Sequence, residues 1–512
     1  MFRSLALSAL MASAVPLASA SEIRVAISAD MRSSYPGVNR DGYSDDILTQ
    51  ITEGLLAYRS DLTIGPMAAE SYKVSDDLTQ YRFRLRSGMR FHNGEIVRAS
   101  HLKANWDRIL DPATGFQCLP FYDGTIGPKI TNVTAPDDTT LIIKWDKPNA
   151  VFPEMLADVK CPVAILHPDS WNEDGDWVKP IATGPFKLAE WKPGRYVLLE
   201  KFDDYVAATS PATGLIGHKE ALVDQVRFDV IPETLAQNAA LVSGQIDLVY
   251  SATPLTALEM SRNRRLTVET TAGLSRRLLM MQTDDPLLGD VRIRRAIGYA
   301  LDLDLFAEIA SFEYAQANPS ALPEVNPYYS DAHTEWYEHN PDKARALLED
   351  AGYDGEPVHI QTNKTFPELF DLAMIADAML REVGFNVKVD VMEWGALMSN
   401  YSSGNFQILS FEYSPRITAF MSYNSAVGQK EDFAYIWENE AAFALLKSVV
   451  SEKDREAAKR TYEQIHRLMM EDIPSINIYF VPVTDIARKN ILGYEPWPGM
   501  KPRLWNVRVA DD

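Results

Sequence analysis

Ser100-His101-Leu102-Lys103 is the one stretch of this 512-residue chain whose spacing matches a nucleophile motif, the S-x-x-K of penicillin-binding enzymes. No Lys-Thr-Gly follows it, and Ser100 has a sufficient role as a helix N-cap. There is no Gly-Lys phosphate loop, no G-x-G-x-x-G, no G-x-S-x-G elbow and no H-E-x-x-H. Of the eight histidines, His333 and His339 are the closest pair, and a separation of six keeps them off one helix face. Nothing in this inventory calls for an enzyme, a metal or a cofactor. Chemistry of recognition is left, and it is sought where strands end, because in open α/β sheets ligands sit beyond the carboxyl ends of the strands. That rule points to Glu393-Trp394 and to the run from Glu412 to Arg416.

The elements around those positions follow from periodicity. Asn340 caps a helix with Pro341 in its first turn and Gly352 beyond its end. Val358 to Thr362 reads as a strand. Pro367 opens a helix whose apolar stripe is Leu369, Leu372, Ala373, Ala376, Met379, Leu380 and Val383. Phe385, Val387, Val389 and Val391 alternate as the next strand, Trp394 to Tyr401 as a short helix, and 406–411 as a third strand, giving β-α-β-α-β. The long helix 454–471 and the strand 476–481 complete this half. Earlier, Tyr81, Phe83 and Leu85 alternate with three arginines, Asn93-Gly94 suits a tight hairpin, and a helix runs from Ser100 to Leu110. Between them, Val226 to Ile231, a helix capped by Thr234 and closed by Gly244, and 246–249 form a strand–helix–strand crossover.

Residues 1–20 carry a basic start, an apolar run from Leu5 to Leu17 and a small-residue site at Ala18-Ser19-Ala20, the order of a cleaved signal peptide. The residue after the cut is Ser21 rather than a lipid-accepting Cys, so a soluble periplasmic protein is expected. The hydrophobic and charged fractions, 46 % and 24 %, are those of a folded globular chain. A net charge of −21 argues against nucleic acid or anionic lipid as a partner. Cys118 and Cys161, the only cysteines, read as a disulfide in an oxidising compartment, with two buried thiols as the alternative.

A series of segments then carries a family pattern. It includes 52–58 (Thr-Glu-Gly-Leu-Leu-Ala-Tyr), 66–72, 83–94 (ending Phe91-His92-Asn93-Gly94), Thr183-Gly184-Pro185-Phe186, 241–247, 291–297, 343–348 with Ala351-Gly352, and Asp472-Ile473-Pro474. In these the chain resembles the extracellular solute-binding proteins of family 5, the peptide-, oligopeptide- and nickel-type receptors of ABC importers. The resemblance implies an α/β, two-lobed periplasmic-binding-protein type II fold with an extra mixed β-rich domain in the first lobe. Its expected divisions are lobe 1 at 21–55, 182–269 and 484–512, the extra domain at 56–181, and lobe 2 at 270–483. It implies a monomer that captures a small-molecule or peptide ligand by hinged closure and delivers it to an ABC permease in the inner membrane. A nickel or metal-chelate receptor is the alternative within the family, and a secreted interaction or chaperone-like protein the alternative outside it.

Two departures from the family pattern bear on the ligand. Peptide-binding relatives carry Asp-Pro after the strand matching 406–411, where the acid pairs with a peptide amino terminus; here the sequence is Ser414-Pro415-Arg416. The early loop has Tyr35-Pro36 where relatives often have Asp-Pro. Both changes remove a carboxylate next to an arginine, whose planar fork suits anions. The expected binding residues are therefore Arg32 and Arg416 as anion clamps, Tyr35, Trp394 and Tyr413 as walls, and Glu412 as acceptor for an amino group.

Overall fold

The computed structural model describes residues 20–427 and 436–510; the segment read as a signal peptide falls, apart from Ala20, outside them. Ten strands form one mixed sheet. From one edge it runs Asn386–Val391, Pro357–Thr362, Ile408–Tyr413, Leu266–Met281, Ser475–Arg488, Leu248–Val249, Glu22–Ile27, Gln225–Val230, Tyr196–Lys201 and Phe186–Lys192. The first three are mutually parallel, as are Leu248–Val249, Glu22–Ile27 and Gln225–Val230. Two parallel units thus flank a central antiparallel pair, 266–281 against 475–488. Four-strand antiparallel pairing of Ala69–Val74, Gln80–Leu85, Thr140–Trp145 and Ile130–Asp137 makes a separate sheet.

The central pair is longer than the sequence pattern implies, at 16 and 14 residues. Its register breaks between Thr271 and Ser275, where Gly273 lies so close to Val481 that a Cβ there would sit 1.8 Å from the Val481 carbonyl oxygen. Only glycine fits that approach. The helix Pro367–Glu382 buries Leu369, Leu372, Ala373, Ala376 and Leu380 against the 357–362 strand, the face its stripe predicts. The separate sheet packs Phe83, Tyr81 and Trp145 around Phe152, with ring centroids 4.8–6.3 Å apart.

Two cap expectations are corrected. The early helix spans Ala99–Ile109, and its start is held by the Arg98 N–H donating to His101 Nδ1 at 3.1 Å, so Ser100 lies inside the first turn. Thr234 likewise is the first helical residue and Glu233 the cap. Cys118 and Cys161 are bonded, with Cα atoms 5.7 Å apart. The bond ties the 116–122 loop to the segment just after helix Phe152–Ala157.

Candidate functional site

Among the described residues, a cavity of about 540 Å³ opens beyond the carboxyl ends of strands Glu22–Ile27, Leu248–Val249 and Ile408–Tyr413. Seven separated segments line it: 26–28, 40–46, 158–160, 234–238, 249–256, 414–417 and 499–501. Segment 414–417 comes from the half built on 266–281 and 408–413, and the others face it. The volume is that of a small-molecule site.

Its charges are uneven. Arg40, Lys160, Arg416 and Lys501 line it against Asp46 and Asp158. Two of the cations are committed. Arg40 pairs with the buried Asp45, Nε to Oδ2 at 2.8 Å, and Lys501 Nζ lies 2.6 Å from Asp46, which also accepts the Tyr250 hydroxyl at 2.7 Å. Asp158 is occupied in part by the Lys160 backbone N–H at 2.8 Å.

Lys160 and Arg416 are different. Among the described residues neither side chain has a carboxylate within ion-pair distance. Both meet at one neutral oxygen, Ser414 Oγ, which accepts from Lys160 Nζ at 2.8 Å and from Arg416 Nη1 at 3.4 Å. Arg416 Nε is buried with no partner, while its guanidinium lies 5.5 Å from the Tyr413 ring centroid. Burial, and then the neighbouring Arg416 charge, push the Lys160 ammonium down to about 7. Two cations converging on one hydroxyl are poorly satisfied, and an anion between them would relieve both.

The other expected site residues sit elsewhere. Arg32 is exposed and outside the cavity lining. Tyr35 stacks on Trp177, centroids 4.2 Å apart and nearly parallel, with Trp171 edge-on at 5.7 Å, so its ring belongs to an aromatic cluster. Trp394 packs between Phe366 and Phe411. Glu412 is taken by Arg277 at 3.0 Å. Tyr413 is buried; its hydroxyl donates to the Ser425 carbonyl at 3.0 Å and its ring lies beneath Arg276 and Arg416. Glu412 and Tyr413 still belong to the strand, so alternation turns them into the sheet faces, whereas Arg416 lies past its end.

Arg40, Lys160 and Lys501 follow no strand end and carry no such signal, but the strand-end rule applied to Glu22–Ile27 and Leu248–Val249 leads directly to Ser28 and Tyr250–Thr253 in the lining.

Glu95, His101 and His167 form a separate cluster that a metal could occupy by distance alone. The hydrogen bonds argue otherwise. His167 Nδ1 faces the Asp169 N–H at 3.1 Å and the Asn93 amide at 3.2 Å, and His101 Nδ1 accepts the Arg98 N–H. Both rings therefore carry their proton on Nε2, pointed at Glu95, with His167 Nε2 2.9 Å from Oε2. A metal would need those protons displaced and the Nδ1 partners reversed.

Over residues 63–434 the chain matches the family description "bacterial extracellular solute-binding proteins, family 5 Middle". The chain belongs to this family. A relative of this family-5 protein, the probable peptide ABC transporter periplasmic-binding protein y4tO of Sinorhizobium fredii, is 26% identical over 495 residues, 93% of this chain and 91% of that one. Among solved structures, the Listeria monocytogenes ABC transporter substrate-binding protein CtaP aligns with a TM-score of 0.85 at 21% identity over 96% of this chain and all of the other. The A. tumefaciens R10 protein AgaA in complex with agropinic acid aligns with a TM-score of 0.75 at 22% identity, covering 96% and 99%. These likenesses establish the type II periplasmic-binding-protein fold. The family is extracellular, and among the described residues no helix is long and apolar enough to cross a membrane.

Proposed function

We propose that this family-5 protein is the periplasmic receptor of an ABC importer, and that it captures a small anionic or zwitterionic, peptide-like solute without transforming it. The observation that carries this reading is the Lys160–Arg416 pair. Two cations from opposite sides of the cleft share one serine oxygen and have no acid between them, inside a protein of net charge −21. A relative named for peptide transport and a structural neighbour holding agropinic acid are compatible with it. No histidine or cysteine lines the cavity, which gives a bare metal ion little to hold.

Lobe 1 is assigned to 21–55, 182–269 and 484–512, the extra domain to 56–181 and lobe 2 to 270–483. The register break at Thr271–Ser275 opposite Val483–Val481 then lies where the chain passes between lobes, and it supplies a hinge. Monomeric action follows, since one chain provides both jaws.

A thermal-shift panel of glutarate and other small dicarboxylates, opine-type conjugates, glutathione, neutral di- to pentapeptides and nickel chelates tests the reading. A ligand at about 100 times its dissociation constant adds about 2.7 kcal/mol to the folded state. Stabilisation by anionic members, with loss of the shift in Lys160→Met and Arg416→Ala, is the expected result. Stabilisation by neutral peptides alone, unchanged in both variants, overturns it.

A further inference from the structure

A second interlobe cavity, about 280 Å³, lies alongside the first, and one side chain, Ile417, lines both. The same two elements border the pair. Helix Phe152–Ala157 presents Glu154 to the second cavity and is followed by Asp158 and Lys160 at the first. The segment leaving strand Ile408–Tyr413 presents Arg416 to the first and Thr418 and Ala419 to the second. Three residues of extended chain span about 10 Å at most, so the two compartments are within reach of one small elongated molecule.

The second compartment has its own unmet polar group. Glu154 Oε1 accepts the Tyr328 hydroxyl at 3.1 Å, whereas Oε2 is buried with no hydrogen-bond partner. The walls include Tyr58, Tyr72 and Tyr328, whose ring faces favour a cation. Arg455 borders the cavity and leans toward the Tyr328 ring, 5.8 Å from its centroid, with a 3.4 Å bond to the Pro327 carbonyl; no ion pair joins it to Glu154. A buried carboxyl oxygen left unpaired costs on the order of 1–3 kcal/mol, which a ligand donor would recover.

We propose that the cleft is bipartite: the anionic end of the solute sits between Lys160 and Arg416, and Glu154 receives an amine or other cationic donor at its far end. This rests on the proposed function and adds to it the substrate class, an elongated molecule charged oppositely at its ends. Burial pushes the Glu154 carboxyl up to about 7 in the empty cleft, so amine recognition strengthens as pH rises from 6 to 8. Of the groups facing it, Tyr58, Tyr328 and Tyr462 are pushed further above their ordinary range by burial. None of these titrates in that window. Lys160 does, but at the other end, where it weakens carboxylate binding equally for probes with and without an amine.

The test compares octanoate with its ω-amino derivative by isothermal titration at pH 6 and pH 8, with glutarate as an anion-only control. Wild type is expected to prefer the amine-bearing probe by roughly tenfold at pH 8, the worth of one charge-assisted hydrogen bond, and by less at pH 6. Glu154→Gln keeps an acceptor for Tyr328 and should bind glutarate as wild type does, while losing both the preference and its pH dependence. Equal binding of the two probes, or a preference that survives in Glu154→Gln, overturns the inference. Loss of glutarate binding in wild type would instead sink the anion-receptor reading beneath it.

Discussion

Lys160→Met should make the empty protein more stable and the receptor worse. Burial lowers the Lys160 ammonium from its ordinary 10.5 to about 7. At about 1.4 kcal/mol per pKa unit, holding it charged in the folded state at neutral pH costs up to about 5 kcal/mol. Methionine of similar length removes that cost and forfeits the bond to Ser414, worth about 1 kcal/mol. Water reaching a part-exposed side chain trims the remainder, leaving an expected gain of about 2–4 kcal/mol at pH 7. The sign with pH is fixed. Between pH 7 and 10.5 the unfolded chain holds more protons than the folded one at this site, so wild-type stability rises through that window. The gap to the variant should therefore be widest at or below pH 7 and close toward pH 10. Denaturant midpoints at pH 6, 7, 8.5 and 9.5 read this directly, and titration with the anion found by the panel should show at least a tenfold loss of affinity. A variant less stable than wild type at pH 7, or a gap that does not narrow with pH, would refute the idea of a strained cation kept for binding.

Other outcomes follow from single contacts. Arg416→Ala should weaken anion binding at least tenfold while moving the apo melting midpoint little, because it loses only the long 3.4 Å bond to Ser414 Oγ and its buried Nε makes none. Gly273→Ala puts a Cβ on the Val481 carbonyl and should cost about 3 kcal/mol or more, seen as a lower midpoint or loss of the folded protein. His333 and His466, buried with tilted rings 5.1 Å apart, are held down by burial to about 3 and about 4. Stability from their neutral forms is present above pH 6.5 and is lost as pH falls toward 4, by about 3 kcal/mol for His466; His466→Gln should flatten that acid limb in a chemical melt. Replacing Cys118 and Cys161 by serine frees a 43-residue loop and should cost about 4 kcal/mol in the chain-entropy account, with weaker anion binding because Lys160 adjoins the bond.

How far these features were legible in the chain depends on how local their causes are. The helix Pro367–Glu382 and its flanking strands follow from stripe, cap and alternation, all within about 30 residues, and they stand where the pattern places them. The central pair 266–281 and 475–488 does not, because its two ends meet different neighbouring strands and its register shifts between Thr271 and Ser275, which breaks the alternation. Caps show the same limit on a smaller scale. Serine is the better capping residue by type, yet the first turn at Ala99 is closed by a histidine side chain three residues on from Arg98.

The site divides along the same line. Arg416 could be found from one strand end, since a residue just past a parallel strand faces the cleft whatever surrounds it. For Arg32 and Tyr35 the only signal is what their loop lacks, and a missing carboxylate says nothing about where the remaining side chains point. Tyr35 instead finds Trp177 and Trp171, about 140 residues away, and stacks there. Lys160 was beyond reach for a different reason. Next to Cys161 and Asp158 it reads as an ordinary surface lysine, and only the disulfide that anchors its segment and the Ser414 hydroxyl across the cleft turn it inward. With a carboxylate in place of the Ser414 hydroxyl, Lys160 and Arg416 would both be neutralised by the protein itself, and the cleft would have no unmet positive charge to offer. Ser414→Asp is the direct check. It should raise apo stability, return the Lys160 ammonium toward its ordinary value and abolish anion binding together; retained anion binding would show that the pair is not where the solute's charge rests.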